Sequence, residues 1–427
     1  MRYFAHQQAI IDHRPVKTGL FLGTGSGKTM LAWTLAEGPA LVIAPKTQVE
    51  DGNWERERDK LGFKIPFQVI SKETFRRDHE TVAPCRTLII DEAHSVCGVT
   101  PMTFQRKGVR YPKTSQLFAA VMAYVERVRP ERIYLCTATP DRSPMAVWAA
   151  AKILGKEWDF YAFREKFYAQ VRMGRNDIWV ARKTPEAKKA LGEMIRGLGY
   201  VGRLEDWFDV PEQTFKTERL RLTPPQVSEI KKLRLEYPDP GQFSGRAHQV
   251  ENGHLIGDEY VATKRFACPK VDRILEYAEE FPRMLVFARY TVQIAMIAEA
   301  LRESGRKVVT LEGSTKDKGA AIAEANAAEA CVVVAQSSIA EGYELPDYPI
   351  VIFASLDGSI VNLVQAQGRV QRLGKLKKNL YVYLVAMGWA GKGDEDPYIS
   401  RDWNRYRANV VDKVDYHEQM YVKEEVR

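Results

Sequence analysis

The chain has 427 residues, 63 Lys and Arg against 55 Asp and Glu, and a formal charge of +8. At roughly 100–200 residues per domain, this length predicts two or three domains, each able to bury a core. The 45% apolar and 28% charged fractions are globular values that exclude collagen, coiled coil and wholesale disorder, and no apolar run reaches the ~18 residues of a membrane span, so no membrane partner is expected.

The N-terminus, MRYFAHQQAIIDHR, carries no charged-then-apolar leader pattern. Cys85, Cys97, Cys136, Cys268 and Cys331 are scattered without a CxxC pair. That disfavours a disulfide scaffold or zinc ribbon and fits a reducing compartment: the cytoplasm, or the nucleus of a eukaryotic cell. The positive surplus permits a polyanionic partner without requiring one.

In chain order, short aliphatic runs alternate with helical patterns. GLFLG (19–23), ALVIAP (40–45), FQVIS (67–71), TLIIDE (87–92) and RIYLCTAT (132–139) read as buried strands, and KTMLAWTLAE (28–37) and TSQLFAAVMAYVERV (114–128) as helices. The same rhythm returns in RMLVFA (283–288), KVVTLEG (307–313), ACVVVAQ (330–336), PIVIFAS (349–355) and LYVYLVA (380–386), with helices at 292–305 and 318–330. Alternation of this kind predicts α/β architecture: parallel sheets in 1–155 and in 263–390. Between them, 156–262 reads as a mainly helical connecting region, with packed aromatics at 158–168 and a flexible stretch near 237–258. The tail, 391–427, is polar, without a clear core pattern.

GTGSGKT (23–29) follows a strand and opens a helix, the context of a phosphate-binding loop. Gly23, Thr24, Gly25, Ser26 and Gly27 would turn backbone N–H groups around phosphates, Lys28 would reach the β/γ-phosphates, and the Thr29 hydroxyl would ligate magnesium. Leu22 stands where the strict pattern has its first glycine. IIDEAH (89–94) ends a second strand, so Asp91 can hold magnesium while Glu92 orients and deprotonates water. No second histidine sits at helical spacing from His94, which points to a polar coupling role rather than a metal ligand. In CTATP (136–140), Thr137 and Thr139 can bond His94 or Asp91. In QAQGRVQRLGK (365–375), Arg369 and Arg372 would share one helix face and stabilise the charge of phosphoryl transfer.

Gly25–Thr29, Asp91–His94 (a DEAH sequence), Thr137–Pro140 and Gln365–Arg372 together resemble the motifs of a superfamily 2 helicase or translocase. The resemblance covers nearly the whole chain. It implies two RecA-like domains, with ATP and Mg2+ between them and nucleic acid across both. Gln7 resembles the adenine-reading glutamine, Gln365 a coupling residue, and Gly342 and Glu344 the motif that meets the ribose. LVIAPKTQVEDGNWERE (41–57), LEDWFDVPEQTFKTERLRLTPPQ (204–226), CPKVDRILEYAEEFPRMLVFARYT (268–291) and LEGST (311–315) resemble the Swi/Snf-type branch, in the compact form seen in bacterial viruses. Ile339-Ala340, Glu344, Gln371 and CTATP depart from that branch's usual residues. Phosphate-backbone contacts carried over by the resemblance are Lys46, Thr47, Ser71, Arg289, Ser314, Thr315, Gln336, Ser337 and Ser338.

The resulting expectation is an ATP-dependent DNA translocase or helicase acting on duplex, forked or branched DNA, with a protein partner in repair, recombination or replication. Three alternatives stay open: an RNA-dependent helicase, the motor subunit of a restriction or recombination complex, and a catalytically silent nucleic-acid-binding protein.

Overall fold

The computed structural model describes residues 3–106, 109–173, 176–257, 262–339, 345, 347–357, 359–370, 377–390, 397–412 and 420–421. The chain forms two compact units: one of residues 1–209 with 415–427, the other of residues 210–414.

In the first unit the strands β1 (Lys17–Leu22), β2 (Ala40–Ala44), β3 (Phe67–Ser71), β4 (Thr87–Asp91), β5 (Arg132–Cys136) and β6 (Gly199–Gly202) form a sheet in the order β6-β1-β5-β4-β2-β3. Every neighbouring pair is parallel. Strands buried on both faces read as unbroken apolar runs, which is why these segments were visible in the sequence. Their period of two sorts side chains into two layers: Leu41, Ile43, Leu88 and Ile90 enter one core, and Ala40, Val42, Ala44 and Ile89 the other. Helices α1 (Ala5–His13), α2 (Lys28–Leu35), α3 (Lys72–Asp78), α4 (Gln116–Val128) and α5 (Phe160–Phe167) belong to this unit. Phe160, Phe163 and Phe167 of α5 lie in the first core, so the aromatics at 158–168 pack as the sequence indicated.

The second unit repeats the plan with β7 (Thr214–Leu220), β8 (Arg283–Ala288), β9 (Val308–Leu311), β10 (Cys331–Gln336), β11 (Ile350–Phe353) and β12 (Leu380–Ala386), in the order β7-β12-β11-β8-β10-β9. All these pairs are parallel too. Leu285, Phe287, Val333 and Ala335 face one layer, and Met284, Val286, Val332 and Val334 the other. Its helices include α6 (Pro240–Glu251), α7 (Pro269–Glu280), α8 (Thr291–Glu303), α9 (Ile360–Gln367) and α10 (Arg401–Tyr406).

Three expectations need correction. The segment 156–262 is divided between the units, and strands accompany its helices: β6 extends the first sheet, β7 edges the second, and antiparallel hairpins occupy Tyr168–Ala181 and His254–Arg265. The stretch 237–258 is largely helix rather than irregular chain along its described residues. It holds α6, where Phe243, Ala247, His248 and Val250 are buried. The polar tail enters the second core, because Asp402 on α10 is 4% exposed and bonded to neighbours far away in sequence.

Candidate nucleotide and nucleic-acid sites

In the first unit the proposed nucleotide residues gather at the C-terminal ends of parallel strands, where ligands of open α/β sheets bind. The loop after β1 takes Gly25 and Gly27 through φ of +77° and +81°, a conformation that side-chain-bearing residues rarely adopt. Gly27 caps α2, and Lys28 and Thr29 open it, so the helix N-terminus and its dipole face the loop. The Lys28 ammonium donates to the carbonyl oxygens of Leu22 (2.9 Å) and Gly23 (3.0 Å), and Ser26 Oγ to Gly23 O (2.7 Å). Gln7 is 1% exposed behind the loop. Its Nε2 donates to Ser26 O at 3.1 Å and its Oε1 accepts from Phe4 N at 3.0 Å, so the structure ties Gln7 to the loop backbone.

Asp91 ends β4, and Glu92 follows with φ 43°, left-handed for a residue that is not glycine. Burial is the strongest influence on both carboxyl groups and opposes their charge. At Asp91 burial and the Glu92 charge push the pKa up to about 6, against the pull of Lys72, of a Trp54 hydrogen bond and of Lys28. At Glu92 the His94 hydrogen bond and electrostatic interactions with His94, Lys28 and Lys72 overcome burial, so it titrates well below the ordinary carboxylate range. His94 Nδ1 lies 3.3 Å from Glu92 Oε2 and 3.0 Å from Thr137 Oγ1, and Thr139 N donates to that hydroxyl at 3.1 Å. The four predicted residues Glu92, His94, Thr137 and Thr139 thus form one connected chain.

Two residues here had no assigned role. Trp54, fully buried, donates its indole N–H to Asp91 Oδ2 at 3.2 Å, and its carbonyl accepts from Trp33 Nε1 at 3.0 Å. Lys72, 7% exposed, donates to Glu92 O at 3.1 Å. The available sequence signal was a lysine directly after a buried strand. Thr29 and Asp91 offer hard oxygen donors of the kind magnesium takes. Asp91 is also a partly buried carboxylate with a raised pKa that a divalent cation would help to ionise, so the residues present fit that ion.

Lys46 and Thr47 begin a short helix, where Lys46 pairs with Glu50 at 3.5 Å on the surface. Ser71 spends its hydroxyl capping α3, accepting from Thr74 N at 3.1 Å.

In the second unit, Arg289, Gln336 and Ser338 line an open basin of about 480 Å³ with Asp357 and Ser359. Gln336 Oε1 accepts from Gly313 N at 3.2 Å, which brings the LEGST turn, including exposed Ser314 and partly exposed Thr315, next to it. Ser337 is buried, its hydroxyl unpaired among the described residues. The Arg289 guanidinium donates to Asp357 O at 2.8 Å, and Arg405 of α10 donates to the same oxygen at 3.1 Å. Among the described residues neither arginine has a carboxylate within ion-pair distance. Burial first, and then the Arg289 charge, push the Arg405 pKa down. Sequence reasoning missed Arg405 because it lies in the tail.

Arg289 is held from behind by a buried polar chain. Its N–H donates to Ser355 Oγ (2.8 Å), which donates to Gln293 Oε1 (2.6 Å); Gln293 Nε2 donates to Asn252 Oδ1 (3.0 Å), and Lys270 Nζ donates to the same oxygen (2.7 Å). Lys270 also donates to Ala354 O (2.7 Å) and the Asp402 carboxylate, which in turn bonds His248 Nε2 (2.8 Å).

The shared helix face expected for Arg369 and Arg372 needs correction. Helix α9 ends at Gln367 with Gly368 as its cap, so Arg369 follows the helix rather than riding it. Arg369 is buried, and its Nε donates to Gln365 O at 3.1 Å. The Gln365 side-chain amide is buried with both polar atoms unpaired among the described residues. Arg372, Gly342 and Glu344 lie outside the described residues.

Residues 269–374 match the helicase conserved C-terminal domain family. The chain is similar to the pre-mRNA-splicing ATP-dependent RNA helicase prp28 of Schizosaccharomyces pombe, at 27% identity over 215 residues, which is 47% of this chain and 30% of that protein. Its fold is similar to the crystal structure of the Pyrococcus furiosus Hef helicase domain, with a TM-score of 0.50 at 16% identity, covering 96% of this chain and 98% of that one. The two parallel sheets match the RecA-like fold of helicases, and the matched segment, residues 269–374, lies in the second unit.

Proposed function

We propose that this protein is a nucleic-acid-stimulated ATPase that uses hydrolysis to move along duplex or branched DNA. The observation that carries the reading is the Glu92–His94–Thr137–Thr139 chain, which links a carboxylate able to act on water to a strand end able to report it. Lys28 would neutralise phosphate charge, and Thr29 and Asp91 would hold magnesium. Bound there, the metal would supply charge neutralisation at the phosphates. Glu92 would take a proton from water as the water's oxygen bonds the γ-phosphorus and the β–γ anhydride bond breaks, leaving ADP and phosphate. In the second unit Arg289 and Arg405, with Gln336 and Ser338, present donors suited to backbone phosphates, contacts that fix position without reading sequence. Arg369 and Arg372 retain the charge-stabilising role that the resemblance gives them.

One feature favours DNA: the Swi/Snf-like blocks at 41–57 and 204–226. An RNA track is the second reading, favoured by the similarity to an RNA helicase. The test is ATP hydrolysis by the wild type and Lys28→Ala without nucleic acid and with duplex DNA, forked DNA, single-stranded DNA and RNA. Stimulation of the wild type alone by duplex or forked DNA is the expected result. Stimulation by RNA alone would select the second reading, and a rate indifferent to every nucleic acid would overturn both.

A further inference from the structure

The hairpin that follows the DEAH sequence is not used by any motif above. Its strands, Val99–Arg106 and Val109–Thr114, pair antiparallel with Phe104 opposite Tyr111 and Thr103 opposite Pro112. Directly opposed residues share a face, as do residues two apart along a strand. Phe104, Val109 and Tyr111 therefore lie on one face and are exposed at 48%, 51% and 44%, while Met102, beside the register shift at 99–103, is exposed at 45%. The Phe104 and Tyr111 rings stack with centroids 5.8 Å apart and planes 29° from parallel. An uncovered apolar face on so small a hairpin marks an interaction surface.

Charge selects the partner. Residues 99–114 contain Arg106, Lys107, Arg110 and Lys113 and no Asp or Glu. Arg110 and Lys113 are both exposed. A cationic hairpin displaying two aromatic rings has the chemistry that binds single-stranded nucleic acid, with phosphates on the cations and bases on the rings. A protein partner with an apolar patch would be served by the rings alone and would gain nothing from the exposed Arg110 and Lys113.

The hairpin is rooted in the nucleotide-site segment. Gly98 and Ser115 close its neck with a backbone bond from Ser115 N to Gly98 O at 2.6 Å, and a Cβ on Gly98 would meet Ser115 Oγ at 2.4 Å. At its base Thr100 Oγ1 donates to Lys113 O (3.2 Å), and Tyr161 OH of α5 donates to Arg110 O (3.2 Å). Gly98 follows closely on His94, so the hairpin's root and the Glu92–His94–Thr137 chain belong to one short segment.

We propose that the Val99–Thr114 hairpin is a base-stacking platform for single-stranded nucleic acid, engaging unpaired bases next to the track. The inference rests on the motor reading, and its test separates the two. Oligonucleotide affinity is measured by fluorescence anisotropy for the full chain and for Phe104→Ala/Tyr111→Ala, on single-stranded DNA, single-stranded RNA, forked DNA and blunt duplex. The double variant is expected to lose about tenfold or more in affinity for the single-stranded and forked ligands, to bind blunt duplex as the wild type does, and to keep its ATPase rate without nucleic acid. Both side chains are exposed, so folding should be unaffected, which circular dichroism checks; Tyr111→Phe should retain affinity, because it keeps the ring. In the wild type, photocrosslinking of a 5-bromouracil strand should label the Val99–Thr114 peptide. Unchanged affinity with crosslinks elsewhere overturns the platform while duplex-stimulated hydrolysis leaves the motor standing. Concentration-dependent self-association lost in the double variant would overturn it in favour of a second copy. A wild type that binds no nucleic acid fails the motor reading itself.

Discussion

Lys270→Met tests whether the buried chain behind Arg289 is an electrostatic unit or merely packed polar atoms. Lys270 is 1% exposed, and its three contacts are Asn252 Oδ1 (2.7 Å), Ala354 O (2.7 Å) and the Asp402 carboxylate. Methionine keeps most of the volume and removes the charge. Breaking a buried ion pair from one side costs about 3–5 kcal/mol, because the remaining ion is left uncompensated. Asp402 would keep His248 Nε2 at 2.8 Å and Ala386 N at 3.2 Å, so we expect the middle of that range, about 4 kcal/mol. Against total stabilities of about 5–15 kcal/mol, such a loss should bring the second unit near unfolding.

The pH dependence gives the sign. Burial opposes the charge of Asp402, but Lys270 and the His248 hydrogen bond overcome it and hold its pKa below the usual range. In the wild type its contribution is therefore present above the unfolded pKa and lost as the pH falls through the folded one. With Met at 270, burial dominates and the folded pKa rises above the unfolded one, so the variant gains stability as the pH falls. The gap between the proteins should be widest at neutral pH and narrow towards about pH 4. Urea unfolding across this range, with hydrogen exchange resolving the second unit, is the assay. A gap below about 1 kcal/mol at pH 7, or one that widens in acid, would refute the reasoning. Lys270→Met/Asp402→Asn should be more stable than Lys270→Met alone.

Three further outcomes are expected. Trp54→Phe removes the indole donor from Asp91; it should lower kcat roughly tenfold and leave nucleic-acid affinity unchanged, as steady-state kinetics and binding would show. Arg405→Ala should weaken nucleic-acid binding alike for all sequences and flatten the plot of log affinity against log salt by about one unit, with ATPase activity in the absence of nucleic acid preserved. Glu92→Gly relieves a left-handed backbone that costs roughly 1 kcal/mol, so hydrolysis should vanish while thermal stability holds or rises.

What was legible in the sequence follows from the kind of burial. Parallel strands are apolar on both faces, so each stood out as a run, and the residue ending each run marked the functional edge: Gly23 after β1, Asp91 on β4, Thr137 after β5, Arg289 after β8 and Gln336 on β10. Helix α6 was read as a flexible stretch because DPGQ is turn-like. Yet Asp239 accepts from Gly241 N (3.0 Å) and Gln242 N (2.9 Å), with Pro240 in the first turn, and the same residue types also start helices.

Residues whose meaning depends on a distant partner left no such trace. Lys270 and Asp402 are each ordinary charged residues in a charged stretch; only the fold sets them together in the interior, where one without the other would be costly. Trp54 and Arg405 differ in the same way from Lys28 and Glu92. The latter sit in motifs whose spacing is imposed by a ligand, and such spacing recurs wherever that ligand is bound. The former answer to Asp91 and to the Asp357 carbonyl, contacts set by how this chain packs against itself. A sequence therefore displays the residues that a phosphate arranges more readily than those that hold them in place. This is why the aromatic face at Phe104 and Tyr111, arranged by no recognised motif, became visible only when the register put both rings on one exposed side.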